Sequence, residues 1–335
     1  MTVGTGGPFD PERLLKDFDR YDRDVDIVSS YHYLFSETPL KDTVAHFERY
    51  PKVKGKDGRD ATPDFTVLYK DGTGLIGEIA NIALHENSIE KLCKQLGRYS
   101  ELEELPAGRS RFEKVSLVDV IYLSPMASAH DAARRIFVER IDNPEYEFSP
   151  IRRPVMIQFA RDSGEYVYQF WADKELNGDL YKSSRVPDYR DYRDLKVEPW
   201  RFARNKVQYA FMNDTVSPLY MATRLWVNVF PTAYPPRSHP EFTTSTPEIV
   251  KLLKAHYSFG RSDDVRAAMA VLTAARLATH LRGDRNVWTV NRKAIKKESG
   301  AIQRIIADRI GSPHSAPERS SRKRFSPSAD QGRLF

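Results

Sequence analysis

The sequence has a single cysteine and no long apolar run. Cys93 has no second cysteine to pair with, so an internal disulfide and zinc sites built from spaced cysteines are both excluded. No stretch approaches the ~18 consecutive apolar residues of a membrane-spanning helix. The first residues also lack the charged and then apolar pattern of a signal peptide. These features predict a cytoplasmic protein without a membrane partner.

Several enzyme signatures are missing as well. The Gly-rich start MTVGTGGP precedes no strand and lacks the Lys-Ser/Thr ending of a phosphate loop, so we expect a disordered start there. No Ser-His-Asp order is present, which excludes the hydrolases that depend on it. His85 beside Glu86 is either a metal ligand or base, or a solvated pair in a loop.

Positive charge is concentrated near the C-terminal end. Residues 244–310 hold 13 Lys and Arg against 6 Asp and Glu, a balance of +7, whereas the whole chain has a net charge of +6. Such a surface either binds the phosphates of nucleic acid or is an ordinary solvated helical face. Charge alone leaves both interpretations open.

The length of 335 residues predicts at least two domains. Turn and linker residues divide the chain into an α/β core with N-terminal helices over 1–150 and an α+β middle region over 151–243. A C-terminal domain over 244–310 and a disordered, Ser/Pro/Arg-rich tail over 311–335 follow. The aromatic and arginine residues of the middle region either stack on bases or belong to a core.

The pattern of apolar residues in the first region favours a mixed sheet covered by helices. Helical spacing over Pro11 to Tyr50, including Val44 and Phe47, predicts two or three helices. A hairpin from Phe65 to Ala80, a helix over 87–104, a strand over 115–123 and a helix over 128–141 follow. Strands over 155–159 and 166–171 either continue this sheet or begin a second β unit.

The C-terminal region has the order helix, turn, helix, hairpin, helix, which is the winged-helix order. A linker at Pro235-Pro236 and Thr243 to Thr246 precedes a helix over 247–256. A longer helix from Ser262 through Leu281, a hairpin over 282–288 and a helix over 300–310 come next. The basic residues expected to contact DNA are Arg261, Arg266, Arg282, Arg285, Arg292 and Lys293.

Two carboxylates occupy neighbouring strands of the predicted hairpin. Thr62-Pro63-Asp64 begins one strand, and Gly77-Glu78-Ile79-Ala80 lies on the next. Hard cations such as Mg²⁺ or Mn²⁺ take oxygen ligands of this kind. The arrangement resembles the PD-(D/E)xK nuclease superfamily, and the resemblance covers about residues 40–141. It implies a restriction-endonuclease-like core in which Asp64, Glu78 and the Ile79 carbonyl bind the metal.

The chain departs from that pattern at Ala80, where the superfamily usually has lysine. Some members supply the lysine from the following helix, which here offers Lys91 and Lys94. Gln95 and Tyr99 resemble the QxxxY motif of RecB-like nucleases, and Lys91 lies one turn before Gln95, on the same stripe. The resemblance therefore implies Lys91 as the catalytic lysine, with Gln95 and Tyr99 beside it.

A carboxylate from the preceding helix is also common in the superfamily. Glu48 is the better placed candidate for a further metal ligand, ahead of Glu37.

The last five residues, Gln331-Gly332-Arg333-Leu334-Phe335, resemble the QxxLF peptide that docks bacterial proteins on the replication sliding clamp. Gln331, Leu334 and Phe335 would then be the clamp-binding residues. The alternative is a chain end without a partner.

These patterns lead to one main expectation, a metal-dependent DNA nuclease of defence, repair or replication that is recruited by its C-terminal domain. One alternative is a nuclease-like DNA-binding or regulatory protein without catalysis. Another is a scaffold subunit that assembles through the middle region. A homodimer is compatible with each of them.

Overall fold

The computed structural model describes most of the chain, with several internal gaps. The described residues are 9–55, 58–80, 86–125, 138–139, 143, 145, 154–161, 168–177, 195–197, 209–212, 215–235, 239–281, 284, 286–295 and 301–312. Several sequence expectations fall outside them: the Gly-rich start, His85, most of the 128–141 helix, much of the aromatic middle region, Arg282, Arg285 and the tail from residue 313.

The first element of the described residues is a long helix, α1, over Pro11–Glu37. The Asp10 side chain accepts a hydrogen bond from the Glu12 backbone N–H, and Pro11 occupies the first turn, where its missing N–H costs nothing. A short 3-10 turn over Pro39–Asp42 follows. The prediction of two or three helices in this region was therefore wrong.

A strand, β1, replaces the predicted second helix and covers Val44–Arg49. It pairs antiparallel with the strand Phe65–Tyr69, and its register shifts between Val44 and His46. A bulge of this kind adds one residue, so Val44 and Phe47 pack on the same apolar cluster although they are three residues apart. Three-residue spacing in a bulged strand imitates helical periodicity, which explains the error.

The remaining elements of this unit are mostly strands. Their bounds are β2 Val53–Lys54, β3 Asp60–Ala61, β4 Phe65–Tyr69, β5 Thr73–Ile79, α2 Glu86–Ser100, β6 Glu104–Pro106, β7 Phe112–Lys114, β8 Leu117–Pro125, β9 Val155–Arg161, β10 Tyr168–Asn177 and β11 Leu195–Val197. The predicted hairpin, the helix after it and the strands near 117, 155 and 168 are confirmed, with shifts of a few residues at their ends.

Among the described residues, seven strands form one mixed sheet in the order β1-β4-β5-β8-β9-β10-β11. The pairs β5–β8 and β8–β9 are parallel, and the other pairs are antiparallel. Because β9 and β10 belong to this sheet, it continues past residue 150. The predicted mixed α/β class, with a sheet flanked by helices, is confirmed.

The two faces of the sheet are covered by different helices. The second half of α1 packs on one face, where Tyr31 stacks on Phe65 with ring centroids 5.1 Å apart. On the other face α2 packs through Cys93 and Leu96 against a cluster that includes Ile76. Asp64 and Glu78 lie at the end of β4 and β5 nearest α2.

A second unit follows near residue 216. Its elements are α3 Pro218–Arg224, a π-helical turn Leu225–Val229, α4 Phe230–Ala233, β12 Glu241–Ser245, α5 Thr246–Tyr257, α6 Ser262–Ala274, β13 Ala278–His280, β14 Val287–Asn291 and α7 Ile302–Gly311. The three strands form an antiparallel sheet in the order β12-β14-β13.

Two sequence expectations in this unit need correction. Residues 243–246 are not a linker, because β12 pairs with β14 and Ser245 caps α5 through a reciprocal bond pattern with Glu248. The helix from Ser262 does not reach Leu281. It ends at Ala274, and Arg276 adopts a left-handed conformation with φ of 60° that turns the chain into β13.

Helix α1 belongs to both units. Its first half contributes Leu14, Phe18 and Tyr21 to the apolar core of the second unit, where Tyr21 contacts Tyr220 with ring centroids 4.6 Å apart. Its second half packs on the large sheet. Arg49 of β1 reinforces the junction by donating a hydrogen bond to the Tyr209 carbonyl at 3.1 Å.

None of the helices in the described ranges is both long enough and apolar enough to cross a membrane.

Candidate active site

Asp64 and Glu78 occupy facing positions at the ends of β4 and β5. The strands pair antiparallel with Phe65 opposite Gly77, so the next position sets Asp64 opposite Glu78. The backbone N–H of Asp64 donates to the Gly77 carbonyl at 3.0 Å. Cβ atoms of directly opposed residues on one face of a sheet are about 5 Å apart. One divalent ion can bridge two carboxylates at that separation.

A further hydrogen bond fixes the Asp64 side chain. The backbone N–H of Ile79 donates to Asp64 Oδ2 at 2.7 Å, so the carboxylate is held over the end of β5. Gly77 permits this close packing of strands: a Cβ at that position would lie 2.1 Å from the Phe65 ring. The glycine before Glu78 is therefore part of the site's framework.

Glu78 is held from the helix side by a short hydrogen-bonded chain. The Tyr99 hydroxyl donates to Glu78 Oε2 at 2.9 Å, and Gln95 Nε2 donates to the Tyr99 oxygen at 3.0 Å. Burial raises the pKa of Glu78 from 4.5 to about 7, and the hydrogen bonds from Gln95 and Tyr99 oppose this shift. A carboxylate in this state binds either a proton or a cation near neutral pH.

The predicted stripe on α2 consists of Lys91, Gln95 and Tyr99, and these side chains become less exposed along the helix. Lys91 is exposed, Gln95 is half-buried and Tyr99 is buried, each one helical turn after the previous one. Lys94 instead forms an ion pair with Glu90, with Nζ 2.6 Å from Oε1. The structure thus brings Gln95 and Tyr99 to Glu78 and places Lys91 one turn further along the same stripe.

Ala80 occupies the position where the PD-(D/E)xK pattern usually has lysine, and its surroundings are apolar. Its side chain is buried in the apolar cluster between the sheet and α2, together with Cys93 and Leu96. Its backbone N–H donates to the Leu123 carbonyl at 2.8 Å. Ile79, whose carbonyl is the predicted third metal ligand, lies between Glu78 and this residue and is half-buried.

Glu48 does not lie on a preceding helix, and this part of the prediction was wrong. It lies on β1 opposite Thr66, and its Oε2 is 2.6 Å from His46 Nε2. Residues two positions apart in a strand are separated by about 7 Å, so Glu48 lies one step along the sheet from Asp64. Glu37 ends α1 near the opposite end of β4 and is exposed.

Sequence reasoning missed Asp24, a carboxylate of α1. Burial raises its pKa, and the adjacent Arg23 opposes the shift. Burial raises the pKa of the Tyr50 phenol, and the charges of Asp64 and Asp24 add to that shift. The signal that could have found Asp24 is the run of aspartates at 22, 24 and 26, which interrupts the apolar pattern of the helix.

The basic residues predicted to contact DNA differ in their surroundings. Arg261 pairs with Asp264 at 2.5 Å, and Arg266 pairs with Asp263. Arg292 donates to the Tyr234 carbonyl at 3.2 Å, and burial lowers its pKa. Lys293 is exposed. Arg282 and Arg285 lie outside the described residues, as do the clamp-peptide residues Gln331, Leu334 and Phe335.

Within the described ranges, no group of three or more His, Cys, Asp and Glu side chains is arranged to hold a metal ion. Asp64 and Glu78 supply two facing carboxylates, and oxygen ligands of this kind suit an ion that retains several waters, as Mg²⁺ does. No protein-family model matches the chain, and no match was found among curated proteins or solved structures.

Proposed function

We propose that the chain is a metal-dependent DNA nuclease related to the PD-(D/E)xK superfamily. The observation that carries the proposal is the facing pair Asp64 and Glu78, with Asp64 fixed by the Ile79 N–H and Glu78 by Tyr99. The order of helix, antiparallel strands, helix and parallel strand around this pair supports the same relationship.

In this proposal Asp64, Glu78 and the Ile79 carbonyl hold Mg²⁺ or Mn²⁺. The hard oxygen donors fit such an ion, and the raised pKa of Glu78 fits a carboxylate whose charge awaits a cation. When bound, the ion supplies Lewis-acid stabilisation of a phosphodiester and a more acidic water. Tyr99 and Gln95 orient Glu78, and the exposed Lys91 ammonium contacts the scissile phosphate.

We further propose that the second unit is a winged helix that binds duplex DNA. Its order of strand, two helices and two strands, and its sheet order β12-β14-β13, support this assignment. Arg282 and Arg285 fall in the connection between β13 and β14, and Lys293 follows β14. The ion pairs of Arg261 and Arg266 favour the residues around that connection as the main phosphate contacts.

The tail residues Gln331, Leu334 and Phe335 are proposed to dock on a bacterial sliding clamp, which would place a cytoplasmic nuclease at replicating or damaged DNA. A titration of the isolated peptide against the clamp tests this. Micromolar binding that a Leu334→Ala, Phe335→Ala variant loses supports docking, and equal signals from both peptides exclude it.

One observation favours a second candidate function. Ala80 lies in an apolar cluster, so the usual lysine position cannot serve catalysis. If Lys91 does not replace it, the chain is a nuclease-like DNA-binding or regulatory protein, alone or as a homodimer.

Incubation of supercoiled plasmid with the purified protein and Mg²⁺ or Mn²⁺ separates the two functions. A nuclease nicks or linearises the plasmid, and Asp64→Ala abolishes this. An exposed aspartate, Asp42, gives the matched control Asp42→Ala, which should cleave like the natural protein. Salt-dependent DNA binding without cleavage by either metal would favour the regulatory function.

A further inference from the structure

The β6–β7 hairpin projects a short exposed segment from the α2 face of the sheet. Its base is anchored by Leu105, which is fully buried and packs on Gly74 so closely that a Cβ there would lie 2.3 Å from Leu105 Cδ1. The tip residues Arg109, Ser110, Arg111 and Phe112 are all exposed. A rigid base thus carries a solvent-facing tip.

The turn at this tip has an uncommon backbone. Gly108, Arg109 and Ser110 have φ values of 83°, 50° and 60°, and the Arg111 N–H donates to the Gly108 carbonyl at 3.0 Å. Two central residues with positive φ are typical of a type I′ turn, for which Asn-Gly is the favoured pair. Arg-Ser is strained there, and such strain concentrates at functional sites.

Phe112 is one of three large hydrophobic residues that are strongly exposed in the described part of the chain, with 45% of its surface accessible. It lies opposite Pro106 in the hairpin, and Arg109 and Arg111 precede it at the tip. An accessible ring beside guanidinium groups is the combination that binds single-stranded nucleic acid, because bases stack on the ring and phosphates pair with the cations.

The charges of the hairpin favour the tip for this role. Glu104 lies opposite Lys114, so these two charges offset each other at the base. Glu113 lies opposite the buried Leu105 and therefore on the other face from Phe112. The turn next to Phe112 adds two exposed arginines, Arg109 and Arg111.

The hairpin tip lies along the sheet face that carries the candidate active site. Gly108 packs over His46, since a Cβ on Gly108 would be 3.2 Å from the His46 ring. Tyr50, four residues after His46, donates its backbone N–H to the Asp64 carbonyl at 2.8 Å. Four residues of a strand span about 13 Å, so the hairpin tip is about that far from Asp64 along the sheet. An unpaired strand can cover that distance with a few nucleotides, because its backbone can extend beyond the roughly 3.4 Å per step of duplex DNA.

The geometry points to the β6–β7 hairpin as a binding site for unpaired nucleotides, with a base stacked on Phe112 and the neighbouring phosphates on Arg109 and Arg111. The inference rests on the proposed function only in taking DNA as the substrate. The expected substrate is DNA whose nucleotides are unpaired where they reach Asp64 and Glu78, as at a frayed end, a flap or a displaced strand.

Fluorescence anisotropy of a labelled dT12 oligonucleotide and of a 12-base-pair duplex tests the inference, with the full chain in EDTA to prevent cleavage. Phe112→Ala should weaken dT12 binding roughly tenfold, and Phe112→Trp should retain it, because one base stack is removed or kept. Duplex binding should change less than about twofold in both variants. The matched control is Val227→Ala, which removes a residue of nearly equal exposure, 47%, in the second unit.

A second variant separates recognition from folding. Arg109→Asn with Ser110→Gly installs the favoured type I′ pair, so the thermal midpoint should rise while dT12 binding weakens. Equal loss of dT12 and duplex binding in Phe112→Ala, or unchanged dT12 binding, would overturn the inference. The inference would also be overturned if polyglutamate bound with the same dependence on Phe112, because the partner would then be an acidic protein surface. Plasmid cleavage is scored separately, so a Phe112-dependent dT12 signal without cleavage rejects the nuclease and retains this site.

Discussion

The Tyr99 hydroxyl lies 2.9 Å from Glu78 Oε2 and donates a hydrogen bond to it across the gap between α2 and the sheet. This bond joins a helix residue to a strand residue 21 positions earlier in the chain. It stabilises the ionised form of a buried carboxyl group whose pKa is raised to about 7. The helix therefore helps to set the pH at which Glu78 ionises, which its proposed role as a metal ligand requires.

Replacement of this donor should shift the pH dependence of cleavage. Tyr99→Phe removes a hydrogen bond to the carboxylate, so the pKa of Glu78 rises further and the acidic limb of the activity profile moves to higher pH. We expect roughly a threefold to tenfold loss of activity at pH 7 that diminishes in alkaline buffer. Tyr234→Phe, which removes a hydroxyl that lies 3.1 Å from the Thr244 hydroxyl in the second unit, is the control. A uniform loss at every pH would show that Tyr99 acts on folding alone.

Glu78 should also limit stability above neutral pH. Its folded pKa of about 7 exceeds 4.5, so the folded state binds the proton more tightly and loses stability as pH rises between these values. Glu78→Gln removes that loss. In metal-free buffer, the difference in free energy of unfolding between the variant and the natural protein should move by about 3 kcal/mol in favour of the variant from pH 4 to pH 8. Urea unfolding measures these free energies. If the variant and the natural protein differ by the same free energy of unfolding at pH 4 and at pH 8, the burial of this carboxyl group is contradicted.

The two lysines of α2 offer a matched pair of substitutions. Lys91→Ala should reduce cleavage by at least about 100-fold, because it removes the cation proposed to contact the phosphate. Lys94→Ala breaks an exposed ion pair with Glu90 and should stay within about twofold. Neither change should lower the thermal midpoint appreciably. If the two variants cleave equally well, the catalytic lysine lies elsewhere or is absent.

Duplex binding by the second unit is best tested by charge substitutions. Deletion of residues 244–310 would strip Leu14, Phe18 and Tyr21 of α1 of their packing partners, so weaker binding could reflect unfolding. Arg282→Gln, Arg285→Gln and Lys293→Gln together should reduce the slope of log K against log salt by about 0.9 for each phosphate that is no longer neutralised. Arg261→Gln with Arg266→Gln, which breaks existing ion pairs with aspartates, should reduce the slope less. Equal slopes in both variants would move the duplex site away from β13 and β14.

Local patterns in the sequence predicted the elements whose geometry depends on near neighbours. The hairpin at 65–79 follows from alternation around Asp71-Gly72, and the stripe Gln95–Tyr99 follows from helical spacing, so the Asp64, Glu78 and Tyr99 positions could be anticipated. Strand β1 could not, because a bulge gives Val44 and Phe47 the spacing of a helix.

Features that depend on tertiary packing were out of reach. The burial of Asp24 could not be predicted, because it depends on α1 continuing unbroken from Pro11 to Glu37 and spanning two cores. Strand β12 is recognisable only through its pairing with β14, since Thr243 and Thr244 resemble a linker in isolation. The Asp263 and Asp264 partners of the helix arginines were visible in the sequence, but a sum of charges does not show which of them form ion pairs.

Anomalous scattering from a crystal soaked with Mn²⁺ tests the proposed metal site. We expect one strong peak between β4 and β5, about 2.1 Å from an oxygen of Asp64 and from an oxygen of Glu78, which disappears in Asp64→Asn. A peak at His46 and Glu48 instead, or none at Asp64 and Glu78 in well-ordered density, would contradict the metal site on which the proposed nuclease depends.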